Sequence, residues 1–185
     1  PLPPHFLREI QVNNVKELQT IEETLRYLQF DNWEQSAPGL ARSYELLGLL
    51  GDPQKKLKFV HIAGTNGKGS TAAMLASVLQ SAGYRTGLYT SPHLLRFHER
   101  MRVNGKEIDD TSLISLTNAV RNAAERMSEM PTGFEIMTAI AFLYFVQERC
   151  DIVSLEVGLG GRMDSTNVIP APEVCVVANI GLEHT

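Results

Sequence analysis

The sequence predicts an α/β protein: a mostly parallel sheet flanked by helices and organised around a P-loop-type phosphate-binding turn. Three observations predict it. The run Phe59-Val60-His61-Ile62-Ala63 passes into Gly64-Thr65-Asn66-Gly67-Lys68-Gly69-Ser70 and then into a helical pattern, the order of strand, glycine loop and helix. Apolar runs of strand length recur at 85–90, 151–157 and 174–180, separated by helical segments, as parallel crossovers require. Of the 185 residues, 43% are hydrophobic and 21% charged, ordinary values for a globular chain long enough to bury a core.

The elements follow in order. Residues 1–14 are irregular, and their prolines oppose an early helix. From 15 to 30, Leu18, Ile21, Leu25 and Leu28 recur at three- and four-residue steps, which predicts an amphipathic helix. After a polar loop with Pro38 and Gly39, a second helix over 40–50 presents Leu46, Leu47 and Leu50 and stops at Gly51-Asp52-Pro53. Residues 1–53 are thus expected to pack as a helical segment on a nucleotide-binding unit of residues 54–185.

The helix after the glycine loop is expected over 68–82, with Met74, Leu75, Val78 and Leu79 on one face and Gly83 as its stop. The strand at 85–90 ends at Ser91-Pro92-His93, on the sheet edge where such folds place ligands. Ser91 there is either a turn residue or a metal ligand. Asn104-Gly105 between extended residues predicts a hairpin, and Asp109 and Asp110 offer an N-cap to a helix reaching 127. Residues 134–148 are apolar on too many sides to be solvated, so that helix is expected to be buried. In the strand 151–157, Glu156 stands among Ile152, Val153, Leu155 and Val157; a carboxylate there needs either a cation or an arginine. A glycine-rich loop over 158–167 carries Arg162 and Asp164 as polar contacts. The strand at 174–180 then leads into Glu183-His184-Thr185, which reads as a unit cut in mid-domain. His184 is either a metal ligand or a terminal residue.

The glycine loop carries the chemistry. Glycine lets backbone N–H groups turn toward a phosphate, and the start of the following helix adds partial positive charge. Lys68 would supply a full charge, and the Ser70 or Thr71 hydroxyl could serve phosphate or magnesium. Two positions depart from the usual pattern: Ile62 stands where a glycine is common, and Gly69 follows the lysine where a hydroxyl is common. The alternative is a plain glycine turn with a solvated lysine. A net charge of -4 provides no electrostatic footprint for nucleic acid or an anionic membrane. Cys150 and Cys175 lie in apolar runs and are expected to be buried thiols of a cytoplasmic protein. No signal-like opening and no uncharged apolar stretch of membrane-spanning length are present.

Taken together these segments resemble the folylpolyglutamate synthase and dihydrofolate synthase family, within the ATP-dependent Mur ligase superfamily. The resemblance runs from about Gly39-Leu40-Ala41-Arg42 onward and rests on five motifs in the family's order. These are 61–70, Thr-Ser-Pro-His-Leu at 90–94, Thr-Gly-Phe-Glu at 132–135, Leu-Glu-Val-Gly-Leu-Gly-Gly-Arg-Met-Asp-Ser-Thr-Asn at 155–167, and Gly-Leu-Glu-His-Thr at 181–185. Ile62 and Gly69 match the family's own variant of the loop. The resemblance implies that Asn66, Gly67, Lys68, Gly69 and Ser70 hold ATP. It implies that Ser91, Glu156 and His184 hold magnesium (Mg2+), with Lys68, Glu156 and His184 as the catalytic set. Thr132, Gly133, Phe134 and Glu135, with Met163, Asp164 and Ser165, match segments that line the family's pterin site.

The implied reaction joins L-glutamate to dihydropteroate or a folate through an acyl phosphate, in an enzyme expected to be monomeric at full length. The implied fold is the Mur ligase central ATPase domain, here an incomplete portion without the C-terminal glutamate-ligase domain and not expected to catalyse ligation alone. Two alternatives stand beside this: an ATP- or pterin-binding module without chemistry, and a Mur-type or cyanophycin-synthetase-like ligase acting on another carboxylate.

Overall fold

The computed structural model describes residues 17–29 and 39–181. In chain order the elements are α1 (Ile21–Leu28), α2 (Ala41–Leu49), β1 (Phe59–Ala63), α3 (Lys68–Ser81), β2 (Thr86–Tyr89), β3 (Met101–Val103), β4 (Lys106–Glu107), α4 (Asp110–Ala124), α5 (Gly133–Gln147), β5 (Ile152–Glu156) and β6 (Val174–Val177). The strands form one sheet in the order β4-β3-β2-β5-β1-β6. Strands β2, β5, β1 and β6 are parallel, while β3 and β4 add an antiparallel hairpin beside β2. Asn104 and Gly105, at φ 48° and 77°, make the hairpin turn that the Asn-Gly pair predicts.

Strand alternation sorts the molecule into layers. Phe59, Tyr89, Val153 and Leu155 join the large core, whose centre is α5. Residues one step out of phase, Val60, Ile62, Leu88 and Ile152, meet Ala72, Leu75 and Leu79 of α3 instead. Phe142 of α5 meets Phe59 edge-on at 5.5 Å. Gly87 lets β2 approach the same helix, since a Cβ there would stand 2.8 Å from the Phe145 ring. As its all-round apolar pattern predicts, α5 is buried from Gly133 to Phe145. Leu28, Leu46, Leu47 and Leu50 belong to the same core as β1 and β5, so α1 and α2 share its packing.

Several expectations need correction. The first helix begins at Ile21, not 15: Thr20 caps it, and Glu23 completes a capping box that fixes the start. Residues 15, 16 and 30 lie outside the described residues. Met74 and Val78 of α3 are 63% and 64% exposed, because the sheet covers only the stripe through Ala72, Leu75 and Leu79. Helix α4 ends at Ala124, and its last carbonyls are met by the turn through Arg126 and Met127. Cys150 is buried, which pushes its thiol up to about 12, but Cys175 is exposed on β6; both are free thiols.

Candidate functional site

The parallel registers bring three segments to one sheet edge. Ile62 lies beside Glu156 and Tyr89 beside Leu155, so the glycine loop after β1, Ser91 after β2 and Glu156 at the end of β5 converge. The loop is anchored from outside. The Thr65 N–H donates to the Asn179 carbonyl at 2.7 Å, and Thr65 Oγ1 exchanges hydrogen bonds with the Gly181 backbone at 3.1 and 3.2 Å. Gly64, at φ 141°, fits against Ala178, whose Cβ would stand 3.0 Å from a Cβ at position 64. Gly67 (φ 82°) then starts α3 without any side-chain cap. A helix's first turn of N–H groups has no intrahelical partner, and here no N-cap side chain takes them up, although the Gly69 amide is turned to the Glu156 carboxylate.

Glu156 lies against that helix end. A Cβ on Gly69 would stand 3.3 Å from its Oε2, so glycine allows the carboxylate and the first turn to approach. The side chain is 4% exposed, and Oε2 accepts the Ser91 N–H at 2.9 Å. Burial pushes its pKa up, opposed by the Ser91 amide, the Lys68 charge and the Gly69 amide. Among the described residues no arginine pairs with it, so the arginine alternative left open by the sequence is not realised there. Lys68 folds back on the loop, its Nζ donating to the Thr65 carbonyl at 3.0 Å. A buried carboxylate short of a cationic partner, beside open amides, suits a cation and a polyphosphate in its donor chemistry. No three His, Cys, Asp or Glu side chains converge among the described residues, and His184 lies outside them.

The segments implied for pterin divide. The Thr132 and Glu135 side chains form a capping box at the start of α5, and Glu135 also accepts from Arg42 Nε at 3.2 Å and Ser43 Oγ at 3.3 Å. Asp164 is likewise engaged: Oδ2 accepts the Leu159 N–H, while Oδ1 accepts both the N–H and the hydroxyl of Thr166. Ser165 is buried and bonds the Thr138 hydroxyl at 3.2 Å, whereas Met163 is 53% exposed. Gly133 is buried at the helix start, and Phe134 turns its ring toward Gly158. With Ser91, His93, Phe97, Arg100 and Leu159, Phe134 lines a cleft of about 430 Å³. A larger cavity, about 520 Å³, lies by Tyr27, Arg121 and Met130 and shares no residue with the strand ends. The smaller cleft is the one that meets Ser91.

Sequence reasoning missed two features. His61 Nε2 lies 2.9 Å from Thr166 Oγ1; because that hydroxyl donates to Asp164, its lone pair faces His61, which puts the imidazole proton on Nε2. Burial pushes the His61 pKa down. Strand alternation could have turned His61 away from the glycine loop's helix, but no local signal names Thr166. Glu99 accepts the N–H groups of Leu94, Leu95 and Arg96, which organises the loop after Ser91 and holds its pKa low.

No family model matches the chain. The chain is 48% identical over 152 residues to the dihydrofolate synthase/folylpolyglutamate synthase of Bacillus subtilis (strain 168), covering 80% of this chain and 35% of that protein. It superposes with a TM-score of 0.85 and 39% identity on a solved FPGS–AMPPCP–folate complex, over 90% of this chain and 42% of the other. For the bifunctional folylpolyglutamate synthase/dihydrofolate synthase of Yersinia pestis, solved with AMPPNP and a Mn ion, the TM-score is 0.83 at 36% identity. That match covers 92% of this chain and 41% of the other. The chain therefore spans well under half the length of each of these relatives.

Proposed function

We propose, from the premise that the chain belongs to the folylpolyglutamate synthase and dihydrofolate synthase family, that it supplies the ATP-binding face of a ligase joining L-glutamate to dihydropteroate or a folate. The observation that carries this is Glu156, buried without an arginine among the described residues and set against Gly69 at the uncapped start of α3. In this reading Asn66, Gly67, Lys68, Gly69 and Ser70 hold the triphosphate through backbone N–H groups and one ammonium. Ser91, Glu156 and His184 hold a divalent cation, which we assign as Mg2+. The segments of Thr132, Gly133, Phe134 and Glu135 and of Met163, Asp164 and Ser165 lie around the pterin, chiefly by shaping the backbone. We place the protein in the cytoplasm and take the full-length enzyme to act on small molecules as a monomer, with residues 1–53 and 54–185 of this chain as helical and nucleotide-binding parts. No helix among the described residues is long and apolar enough to cross a membrane.

ATP supplies the phosphoryl group that turns the acid's carboxylate into one an amine can attack. The chain's own residues position and neutralise. Lys68 exchanges its bond to a neutral carbonyl for one to an anion, which is stronger. Glu156 carries its charge once a cation offsets the burial that opposes ionisation. Residues Thr65, Asn179 and Gly181 keep the loop in shape while Lys68 moves.

The test is calorimetric titration of Mg-ATP. Lys68→Ala is expected to weaken binding by about tenfold or more, and Glu156→Gln to remove its dependence on the cation. Equal affinity in the Lys68→Ala chain removes the loop assignment.

A further inference from the structure

The cleft beside Ser91 carries a cation that nucleotide binding does not use. The Arg100 carbonyl accepts the Thr90 N–H at 3.1 Å, continuing the β2–β3 pairing by one step. Arg100 therefore starts at the same strand end as Ser91. Its Nε donates to His93 Nδ1 at 3.0 Å, and its guanidinium carbon lies 5.5 Å from the centre of the Phe97 ring. Arginine only donates, so the His93 nitrogen that faces it is a lone pair. The imidazole is neutral, with its proton on Nε2.

This contact fixes the Nε edge of the guanidinium, and among the described residues the terminal nitrogens have no hydrogen-bond partner. Arg42, Arg85, Arg96 and Arg102 each meet a glutamate. Half-buried Arg100 forms no salt bridge among the described residues. The cleft it lines has apolar walls from Phe97, Phe134, Met137 and Leu159, and among the described residues no carboxylate lines it. An aromatic wall beside one oriented, unpaired guanidinium fits a flat aryl acid: the ring packs on Phe134, and the carboxylate takes the two-donor fork.

We propose that Arg100, oriented by His93, receives the carboxylate of the acid substrate at the mouth of this cleft and so sets the preference for an acid. The inference rests on the ligase reading above and adds a residue that recognises the group to be activated. His93 acts as a positioning residue: it holds the guanidinium and does not touch the substrate.

The experiment titrates pteroate and its carboxamide into the unchanged chain, Arg100→Gln and Arg100→Lys, with Mg-ATP titrated into each. The unchanged chain is expected to bind the acid about tenfold or more tighter than the amide. Arg100→Gln should bind the two equally, with amide affinity unchanged. Arg100→Lys keeps charge but not the fork and should retain only part of the preference. Should the Gln variant fail to fold, the reduced preference of the Lys variant decides. An acid preference that survives both substitutions overturns the inference and leaves the ligase reading intact. So does an unchanged chain that binds Mg-ATP but either fails to distinguish acid from amide or binds neither. Failure of the unchanged chain to bind Mg-ATP counts against the ligase reading instead.

Discussion

Glu135 and Glu156 are buried to nearly the same depth, 6% and 4% exposed, yet their surroundings are opposites. Glu135 accepts the Thr132 N–H, the Ser43 hydroxyl and the Arg42 guanidinium, so the chain itself answers its charge. Glu156 has the Ser91 N–H, a nearby Gly69 amide and the charge of Lys68, whose ammonium is bonded to the Thr65 carbonyl instead. It has no arginine among the described residues, and burial drives its pKa up. The helix starts beside them repeat the contrast. Helix α5 opens on a complete capping box, α3 on a bare glycine. Burial alone therefore does not distinguish a carboxylate that holds the fold from one reserved for chemistry; a shortfall of partners does.

Four substitutions break or sharpen that contrast. The largest effect is expected from Glu135→Ala, which takes the buried acceptor from the Ser43 hydroxyl and the Thr132 N–H and leaves the Arg42 guanidinium without its buried carboxylate, facing exposed Glu129 instead. It should cost about 3–5 kcal/mol in urea unfolding, and a loss near zero would erase the distinction. Gly158→Ala comes next. Its Cβ would stand 2.4 Å from Phe134 and 2.9 Å from Asp164 Oδ2, so overpacking should cost about 1–3 kcal/mol and distort the cleft. Thr132→Ala removes only the α5 cap and should cost about 1 kcal/mol by the same unfolding measurement.

Glu156→Gln is expected to have the smallest effect on the ligand-free chain, within about 0.5 kcal/mol or slightly stabilising, while ending stabilisation by divalent cations. Its pH dependence has a definite sign. A folded pKa above the unfolded one makes this group's contribution complete below the unfolded carboxylate pKa, and it fades as pH rises through the folded value. Melting curves of Glu156→Gln should lack that fall. An equal fall in parent and variant assigns the effect to another group.

The fold was largely legible because its signals are local and periodic. Asn104-Gly105 announces its turn, the apolar run of α5 announces its burial, and the glycine loop announces a strand before it and a helix after it. The failures are non-local. Exposure of Met74 and Val78 depends on how much of α3 the sheet covers, which no helical period encodes. The pairing of Glu135 with Arg42, 93 positions away, is likewise invisible in the Thr-Gly-Phe-Glu motif, which announces only the capping box. At the candidate site, Glu156 stood out as a charge in an apolar strand, but its bond to Ser91 across 65 positions required the parallel register. His184 lies outside the described residues.

Strand β6 has a colloidal consequence. Val174, Val177 and Ile180 are 50%, 62% and 74% exposed, and no described strand pairs with the outer side of β6. Such a seam offers unclaimed main-chain donors and acceptors flanked by oily side chains, a template for accretion of further strands. Turbidity that grows with concentration, and that Val177→Lys suppresses, is the behaviour this margin implies for the purified chain.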